Sequence, residues 1–275
     1  MSLREKGKAR RKQQILDAVV TLLQAEGFSA LSTSRIAEEA EVSVATLYNL
    51  MGSIDNILDV MVEQLFVEFK SAYTHITRDL APLAIIEGVS EAAYSFLKQD
   101  ESKYKAVLKA VFQINVSRDM TAPVFHTAQN NRTLFISAIR QLQDSNAMMP
   151  GLNTQLLAEQ MLITQVMLLE NWSAGVINLE RFRLTSKFHF LLLIKAWASP
   201  ELATELEQKI LEIQGSIEAL MAASMAASMA ASMAANHAQK RRPQAAKSGQ
   251  DETIKTRIEK EVLSYEDRSV QETGS

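Results

Sequence analysis

The sequence predicts an all-α fold in two unequal parts, a three-helix N-terminal head containing a helix-turn-helix and a larger C-terminal helical bundle. Glycine (9) and proline (5) are scarce among the 275 residues, and 47% of the residues are hydrophobic. A sheet needs repeated turns, whereas a composition dominated by Leu, Ala, Gln, Glu and Met favours helix nearly throughout. A chain of this length can bury a sizeable core, so one or two globular domains are expected.

Three short helices are predicted for the head. Apolar residues at helical spacing indicate a first helix over residues 8–26, and Gly27 follows it where a left-handed C-terminal cap is wanted. Ser32 or Thr33 can cap the second helix, and Ser43 can cap the third, because their side-chain oxygens accept from backbone amides of the first turn.

The segment 33–50 places apolar side chains where two short helices crossing through a tight turn must bury them. Ile36 and Ala40 share one face of the second helix, and Leu47 and Leu50 form the inner face of the third. The outer face of the third helix carries no charge and suits a DNA major groove. It consists of Val44, Ala45, Thr46, Tyr48 and Asn49.

The bundle is predicted to begin with a long helix from Ser53 to about Asp79 that belongs to both head and bundle. Four of the five prolines then punctuate the chain, at places where proline suits an early helical position or the preceding loop. The helices predicted between them cover 83–99, 102–116, 123–145, 153–177, 180–198 and 201–220.

From Met221 the chain repeats MAAS three times and continues with MAAN. A period of four residues overshoots the 3.6-residue turn by about 40° per repeat, so the methionines wind around the helix and form no straight stripe. We interpret the repeat as a helical spacer, with a Met-rich binding surface as the alternative. Residues 236–275 are polar and weakly periodic, which is typical of disorder.

Charge is distributed unevenly along the chain. The net charge is −3, yet residues 1–12 hold six lysines and arginines against Glu5 alone. Directly before a helix-turn-helix, such a basic arm is expected to contact phosphate, and the alternative is a solvated, disordered terminus. The chain has no cysteine, which excludes disulfides and thiolate metal sites.

Neither a membrane partner nor an enzyme is predicted. The apolar runs at 161–169 and 188–197 are too short or too interrupted to cross a bilayer, which needs ~20 apolar residues, so a cytoplasmic protein is expected. The four histidines are scattered, and no motif for a metal, a nucleophile or a phosphate-binding loop is present. No catalytic residue, metal or cofactor is therefore predicted.

Residues 10–58 resemble the DNA-binding head of the TetR family of bacterial transcriptional regulators. The resemblance lies in ILDAVVTLLQAEGFSALSTSRIAEEAEVSVATLYNLMGSIDNIL, with Gly-Phe after helix one, Ile-Ala inside helix two and V-S-x-x-T-L-Y opening helix three. Glu41 replaces the usual turn glycine, and a left-handed conformation costs a non-glycine residue about 1 kcal/mol. Met51 replaces a common aromatic residue, and Ile54 replaces a lysine that commonly contacts phosphate.

The resemblance implies a ligand-responsive transcriptional regulator, expected to be a repressor, whose third helix reads the DNA. A homodimer through helices near 153–177 and 180–198 would bind an inverted-repeat operator, and a small apolar or amphipathic effector would release it. Tyr48 can instead pack against helix one. The implied DNA contacts are Thr33, Ser34, Arg35, Ser43, Val44, Ala45, Thr46, Tyr48 and Asn49.

The bundle supplies candidates for an effector cavity, because apolar sites use a few polar groups to orient a ligand. Each candidate can equally be ordinary core or surface. They are Phe66, Phe69, Phe112, Phe125, His126, Gln129, Met161, Gln165 and Trp172.

The predicted domains are the head with its basic arm at 1–52, the ligand-binding and dimerisation bundle at 53–220, and the low-complexity helix with a disordered tail at 221–275. A second interpretation is a dimeric helical interaction protein whose head has weakened or lost DNA binding, because Glu41 and Ile54 depart from the family pattern.

Overall fold

A computed structural model describes residues 2–76, 79–115 and 129–240, and for residues 66, 114, 115, 129, 130 and 236–240 it describes the backbone alone. Within these ranges the regular secondary structure is helical, with turns and loops between the helices and one isolated antiparallel bridge between Met148 and Ala198. The predicted all-α class is confirmed. The helices are α1 (Leu3–Glu26), α2 (Thr33–Glu39), α3 (Val44–Met51), α4 (Ile54–Ala72), α5 (Pro82–Gln99), α6 (Glu101–Asn115), α7 (Gln129–Asp144), α8 (Thr154–Ser173), α9 (Leu179–Lys195) and α10 (Pro200–Lys240).

The head forms because three helices bury one shared apolar face. Helix α1 packs against α2 and α3, and a 3-10 turn at Phe28–Ala30 joins α1 to α2. Ile15, Ile36 and Leu47 are fully buried where these helices meet. Burying such a side chain contributes about 1.5–3 kcal/mol each, which offsets the weak intrinsic stability of helices only seven or eight residues long.

The bundle surrounds a core of large aromatic side chains. Helix α5 packs against α7 and α9, and α8 packs against α6, α7 and α9. Phe135 and Phe190 meet edge to face with ring centroids 4.9 Å apart, and both are fully buried. Helix α6 also packs against α1, so the bundle contacts the head directly as well as through α4.

Several helices begin at a side-chain cap of the expected kind. Ser32, Ser43 and Ser53 each accept a hydrogen bond from a backbone N–H of the first turn of α2, α3 and α4. Asn153 and Asn178 do the same for α8 and α9. Such a cap is worth about 1 kcal/mol, and it fixes where each helix starts. The alternative cap at Thr33 is not used.

Five helix boundaries differ by three residues or more from those predicted. Helices α8 and α9 end at Ser173 and Lys195, before the predicted ends at 177 and 198. Helix α1 begins at Leu3, because Ser2 and Glu5 form a capping box, so the predicted basic arm is part of a helix. Helix α4 ends at Ala72 and not near Asp79. Helix α10 runs without a break from Pro200 through the MAAS repeat to Lys240. The start of the predicted 123–145 helix and most of the predicted disordered tail lie outside the described residues.

The chain divides between Glu218 and Ala219 into two units, the first of which contains both head and bundle. The boundary predicted at residue 52 stays a prediction. In the first unit, Leu202, Leu206 and Ile210 of α10 are buried. In the second unit, residues 221–235 are exposed.

One helix of the described chain has the length and composition that could cross a membrane. It covers Pro200–Ala235, its most apolar stretch has a mean hydropathy of 1.4, and none of that stretch is buried. The sequence analysis weighed only the runs at 161–169 and 188–197 for this role, so it missed this segment.

Candidate nucleic-acid interface and interior polar cluster

The turn between α2 and α3 fixes the angle at which the two helices cross. Glu41 has a φ of 53°, the left-handed conformation expected at this position. The next residue, Val42, donates from its backbone N–H to the carbonyl of Ala37 at 2.9 Å, which closes the turn. The turn therefore forms with glutamate in place of glycine, at a local cost of about 1 kcal/mol.

Helix α3 has a buried inner face and an exposed outer face. Leu47 is fully buried and Met51 nearly so, whereas Ala45, Tyr48 and Asn49 are exposed. Tyr48 is 53% exposed, so most of its ring is not buried against α1. A helix held from behind by its apolar face presents the remaining side chains outward at fixed positions, as groove recognition requires.

The two hydroxyls at the start of α3 bond to each other. Ser43 Oγ accepts from the Thr46 backbone N–H at 3.1 Å, and the two side-chain oxygens lie 2.8 Å apart. Both hydroxyls keep acceptor capacity, because each oxygen has two lone pairs. Val44 is exposed beside them, and at the start of α2 Ser34 is exposed and Thr33 is half-buried.

Arg35 is paired within the protein, which the sequence did not indicate. Its two terminal nitrogens, Nη1 and Nη2, donate to the two carboxylate oxygens of Glu26 at 2.8 and 2.5 Å. The hydrogen bond to Arg35 holds the pKa of Glu26 below its usual range, so the carboxylate stays ionised near neutral pH. The pair ties the end of α1 to the start of α2 and places a negative charge beside a residue predicted to contact phosphate.

The basic residues near the N-terminus lie along the first turns of α1. Arg4, Lys6, Lys8, Arg10 and Arg11 are exposed. Because a helix rises about 1.5 Å per residue, their Cα atoms span roughly 10 Å of helix axis. A positive potential of this kind attracts a phosphate backbone.

Inside the bundle, an uncharged polar cluster joins three helices. We call Tyr73, Asn131 and Gln165 the polar cluster; they follow or lie on α4, α7 and α8, and all three are buried. Asn131 Nδ2 donates to Gln165 Oε1 at 3.0 Å. Burial raises the pKa of Tyr73, and the nearby Asn131 and Gln165 amides lower it in part. Gln165 is among the predicted effector residues, whereas Tyr73 and Asn131 were not singled out by the sequence.

A row of aromatic rings leads from the polar cluster towards the head. Tyr73 stacks on Phe69 at 5.7 Å, Phe69 packs on Phe96 at 4.5 Å, and Phe96 packs on Tyr104 at 4.4 Å, all measured between ring centroids. Tyr104 Oη donates to Glu68 at 3.4 Å. Burial and the Glu68 carboxylate raise the pKa of Tyr104 to about 12.

The row ends beside α1 of the head. A small open cleft of about 60 Å³ lies between α1, α4 and α6, and its lining includes Asp17, Glu68 and Tyr104. Close by, Gln24 of α1 donates to Ser102 of α6 at 3.0 Å. The bundle therefore contacts the head where α6 packs against α1.

The other predicted effector residues have mixed surroundings. Met161 and Trp172 are fully buried, and the Trp172 indole N–H donates to Glu101 at 3.4 Å. Phe69 and Phe112 are half-buried against the core. The side chains of Phe66 and Gln129, and the whole of Phe125 and His126, lie outside the described residues.

The part of the chain that the structure describes contains no group of three or more His, Asp or Glu side chains arranged to hold a metal ion.

Comparison with known proteins gives one family for the head. The model of the family described as bacterial regulatory proteins, tetR family, matches residues 15–61. None of the curated proteins matches this chain.

Solved structures extend the likeness to the bundle. A TetR transcription regulator from Haloarcula marismortui is 15% identical, has a TM-score of 0.56, and is matched over 70% of this chain and 100% of its own. The fatty acid degradation regulator FadR from Bacillus halodurans is 18% identical with a TM-score of 0.53, over 66% and 94% of the two chains. SmeT, the repressor of the Stenotrophomonas maltophilia multidrug efflux pump SmeDEF, is 15% identical with a TM-score of 0.52, over 70% and 92%.

At these identities the structural likeness concerns the fold, while the family match concerns the head. The two agree, and the resemblance predicted from the sequence is confirmed. The N-terminal head thus matches the tetR-family model, and the head and bundle together have a fold similar to that of a solved TetR transcription regulator.

Proposed function

We propose that this protein is a ligand-responsive transcriptional repressor that binds an inverted-repeat operator as a homodimer. The observation that carries the proposal is helix α3, whose buried inner face fixes an uncharged, exposed outer face. An uncharged surface of small, hydroxyl, amide and aromatic side chains can approach base edges without burying an unpaired charge.

Distinct roles follow for the exposed side chains of the head. Asn49 has the amide geometry that reads adenine, and Val44 and Ala45 can meet thymine methyl groups. Tyr48 and Thr46 can donate to phosphate or base. The remaining candidates, Thr33, Ser34, Arg35 and Ser43, lie at helix starts and more readily hold phosphates.

A dimer is required because one short helix buries too little surface to select a genomic site. Exposed apolar side chains on α8 and α9 support an interface there. Leu156 and Met167 are 59% and 57% exposed, and with Ile163 they lie on one stripe of α8. Phe188 and Leu192 lie one turn apart on α9; Phe188 is half-buried and Leu192 is exposed. A second copy would cover this face.

The proposed effector acts through α4, which reaches from the head to the polar cluster. A ligand that prefers one arrangement of the bundle shifts the equilibrium between two arrangements of the head. The shift cannot exceed the difference between its binding free energies for the two arrangements. The aromatic row from Tyr73 to Tyr104 offers a packed route from the bundle interior to α1. The Bacillus halodurans neighbour is a fatty acid degradation regulator, which is compatible with an apolar or amphipathic effector.

The test is selection of DNA sites by the purified full-length chain from a random duplex pool, followed by mobility shifts. We expect a palindromic site with half-site centres one helical turn or a multiple of it apart. The double variant Thr46→Ala/Tyr48→Ala should weaken binding at least tenfold, whereas Thr204→Ala on α10 should not. Selection of no palindrome, with equal binding to random duplex, would falsify the proposal.

A second candidate function, an interaction protein with a weakened head, is favoured by two observations. Glu26 neutralises Arg35, and Ile54 begins α4 without the positive charge of a lysine. Both reduce the attraction to phosphate. In that case the dimer would form as proposed, but Thr46→Ala/Tyr48→Ala would leave every measurable DNA affinity unchanged.

A further inference from the structure

The polar cluster is unusual because it lies in the interior of the bundle. Tyr73, Asn131 and Gln165 are 6%, 8% and 6% exposed. Asn131 and Gln165 lie on α7 and α8, Tyr73 directly follows α4, and the amides of Asn131 and Gln165 are already joined at 3.0 Å. Two helices and the end of a third therefore bring hydrogen-bonding groups to one point in a region that is otherwise apolar.

The Tyr73 hydroxyl is left without a partner. Within the described residues, no group meets its oxygen in hydrogen-bond geometry, although Asn131 and Gln165 are close enough to lower its pKa. A buried hydroxyl that gives up its hydrogen bonds to water and gains none destabilises the fold. A phenylalanine would pack there without that cost, so the hydroxyl is a candidate for contact with a ligand.

The surroundings of the cluster are apolar. Phe135 lies one turn after Asn131 on α7, Met161 lies one turn before Gln165 on α8, and both are fully buried. Phe69 stacks on the Tyr73 ring at 5.7 Å. The polar cluster itself contains no ionisable group except the phenol of Tyr73, and burial raises the pKa of that phenol, so it stays neutral.

We propose that Tyr73, Asn131 and Gln165 recognise an uncharged hydrogen-bonding group, such as a carboxamide, hydroxyl or carbonyl, on an otherwise apolar effector. The inference rests on the proposed function and specifies its ligand. A carboxylate or ammonium group would lose its hydration there and find no opposite charge within the cluster, which excludes anionic and cationic head groups. A carboxamide can accept from the Tyr73 hydroxyl and donate to an amide oxygen.

The experiment uses matched probes with one apolar tail and three head groups: decanamide, decanoate and decylammonium. Binding to the full-length protein is measured by titration calorimetry at pH 7. We expect decanamide to bind at least tenfold more tightly than either charged probe. Tyr73→Phe should weaken decanamide binding about fivefold to tenfold, the usual effect of one hydrogen bond. Tyr94→Phe, which removes a half-buried hydroxyl on α5, should not.

A second measurement separates recognition from a structural role. Because the Tyr73 hydroxyl has no partner, Tyr73→Phe should leave the melting temperature equal or higher while binding weakens. A lower melting temperature with unchanged decanamide affinity would overturn the inference. So would tighter binding of decanoate or decylammonium, or no binding of decanamide.

The operator assay distinguishes failure of this inference from failure of the proposed function. If the protein selects a palindrome but does not bind decanamide, the ligand class is wrong and the regulator stands. If decanamide binds through Tyr73 but no palindrome is selected, the site stands and the DNA-binding function is wrong.

Discussion

At the scale of single residues, the Glu26–Arg35 pair decides how much positive charge α2 offers to DNA. The carboxylate accepts two hydrogen bonds from the guanidinium, and both side chains are about half exposed. Glu26→Gln should free one cationic group for phosphate. We expect tighter operator binding and a slope of log K against log salt that is steeper by about 0.9 per subunit, or about 1.8 for the proposed dimer.

The measurement is operator affinity over a series of salt concentrations, with Glu205→Gln on the exposed face of α10 as the control. That variant changes the net charge equally but away from the head, so it should leave the slope unchanged. Weaker binding by Glu26→Gln would show that the carboxylate orients Arg35 towards the DNA.

Glu41 offers a prediction about stability. Its φ of 53° is unfavourable for a residue with a Cβ, and glycine removes that strain. Because glycine also makes the unfolded chain more flexible, which costs about 0.4–1 kcal/mol, Glu41→Gly should stabilise the protein by no more than about 0.6 kcal/mol. Urea unfolding measures this free energy. The matched variant Glu38→Gly, within α2, should destabilise by about 1 kcal/mol, and equal effects at the two positions would contradict the backbone explanation.

The residues that the sequence identified correctly are those whose environment is set by near neighbours. The inner and outer faces of α3 follow from helical spacing, and the conformation of Glu41 follows from the family pattern. Glu26 and Arg35 were not paired, because their contact depends on how α1 and α2 pack. The polar cluster was missed for the same reason, since Tyr73, Asn131 and Gln165 come from separate parts of the chain and no local pattern links them.

At the scale of helices, local sequence signals predicted which helices form better than where each helix begins and ends. The capping box at Ser2 and Glu5 is visible in the sequence and starts α1 five residues before the predicted boundary at residue 8. The end of α4 has no glycine or proline to mark it. Helix α10 continues through MAAS because alanine and methionine are strong helix formers and nothing interrupts them.

The exposed stripe on α8 makes a prediction about assembly. A buried charge without a partner destabilises an interface strongly, so Met167→Glu should shift the protein to monomers at micromolar concentration. Operator affinity should then fall at least a hundredfold, because each half-site is bound alone. Light scattering coupled to size exclusion measures the mass.

Met225→Glu is the matched control, since Met225 is 65% exposed on α10 beyond the proposed interface. It should remain dimeric and bind the operator normally. A Met167→Glu protein that stays dimeric would place the interface elsewhere, and a monomeric Met225→Glu protein would place it on the MAAS helix.

At the scale of the whole molecule, the long α10 has two unlike parts. Its first turns bury Leu202, Leu206 and Ile210, and Lys209 Nζ lies 3.1 Å from Glu87 Oε1 of α5. Residues 221–235 are all exposed. The first part therefore belongs to the bundle core, whereas the side chains of the second part are exposed.

Truncation after Glu218 should accordingly leave the fold, the dimer and the operator affinity intact. We expect a melting temperature within a few degrees of the full chain, an unchanged dimer mass and a dissociation constant within about twofold. Truncation after Ala203 is the contrasting variant, because it removes Leu206 and Ile210 from the core. Two such side chains contribute about 3–6 kcal/mol, which is a large share of the stability of a domain, so this protein should melt far earlier or fail to fold. If the protein truncated after Glu218 loses its dimer or its operator binding, a second copy must cover the exposed part of α10. The MAAS segment is then part of the assembly and not a spacer.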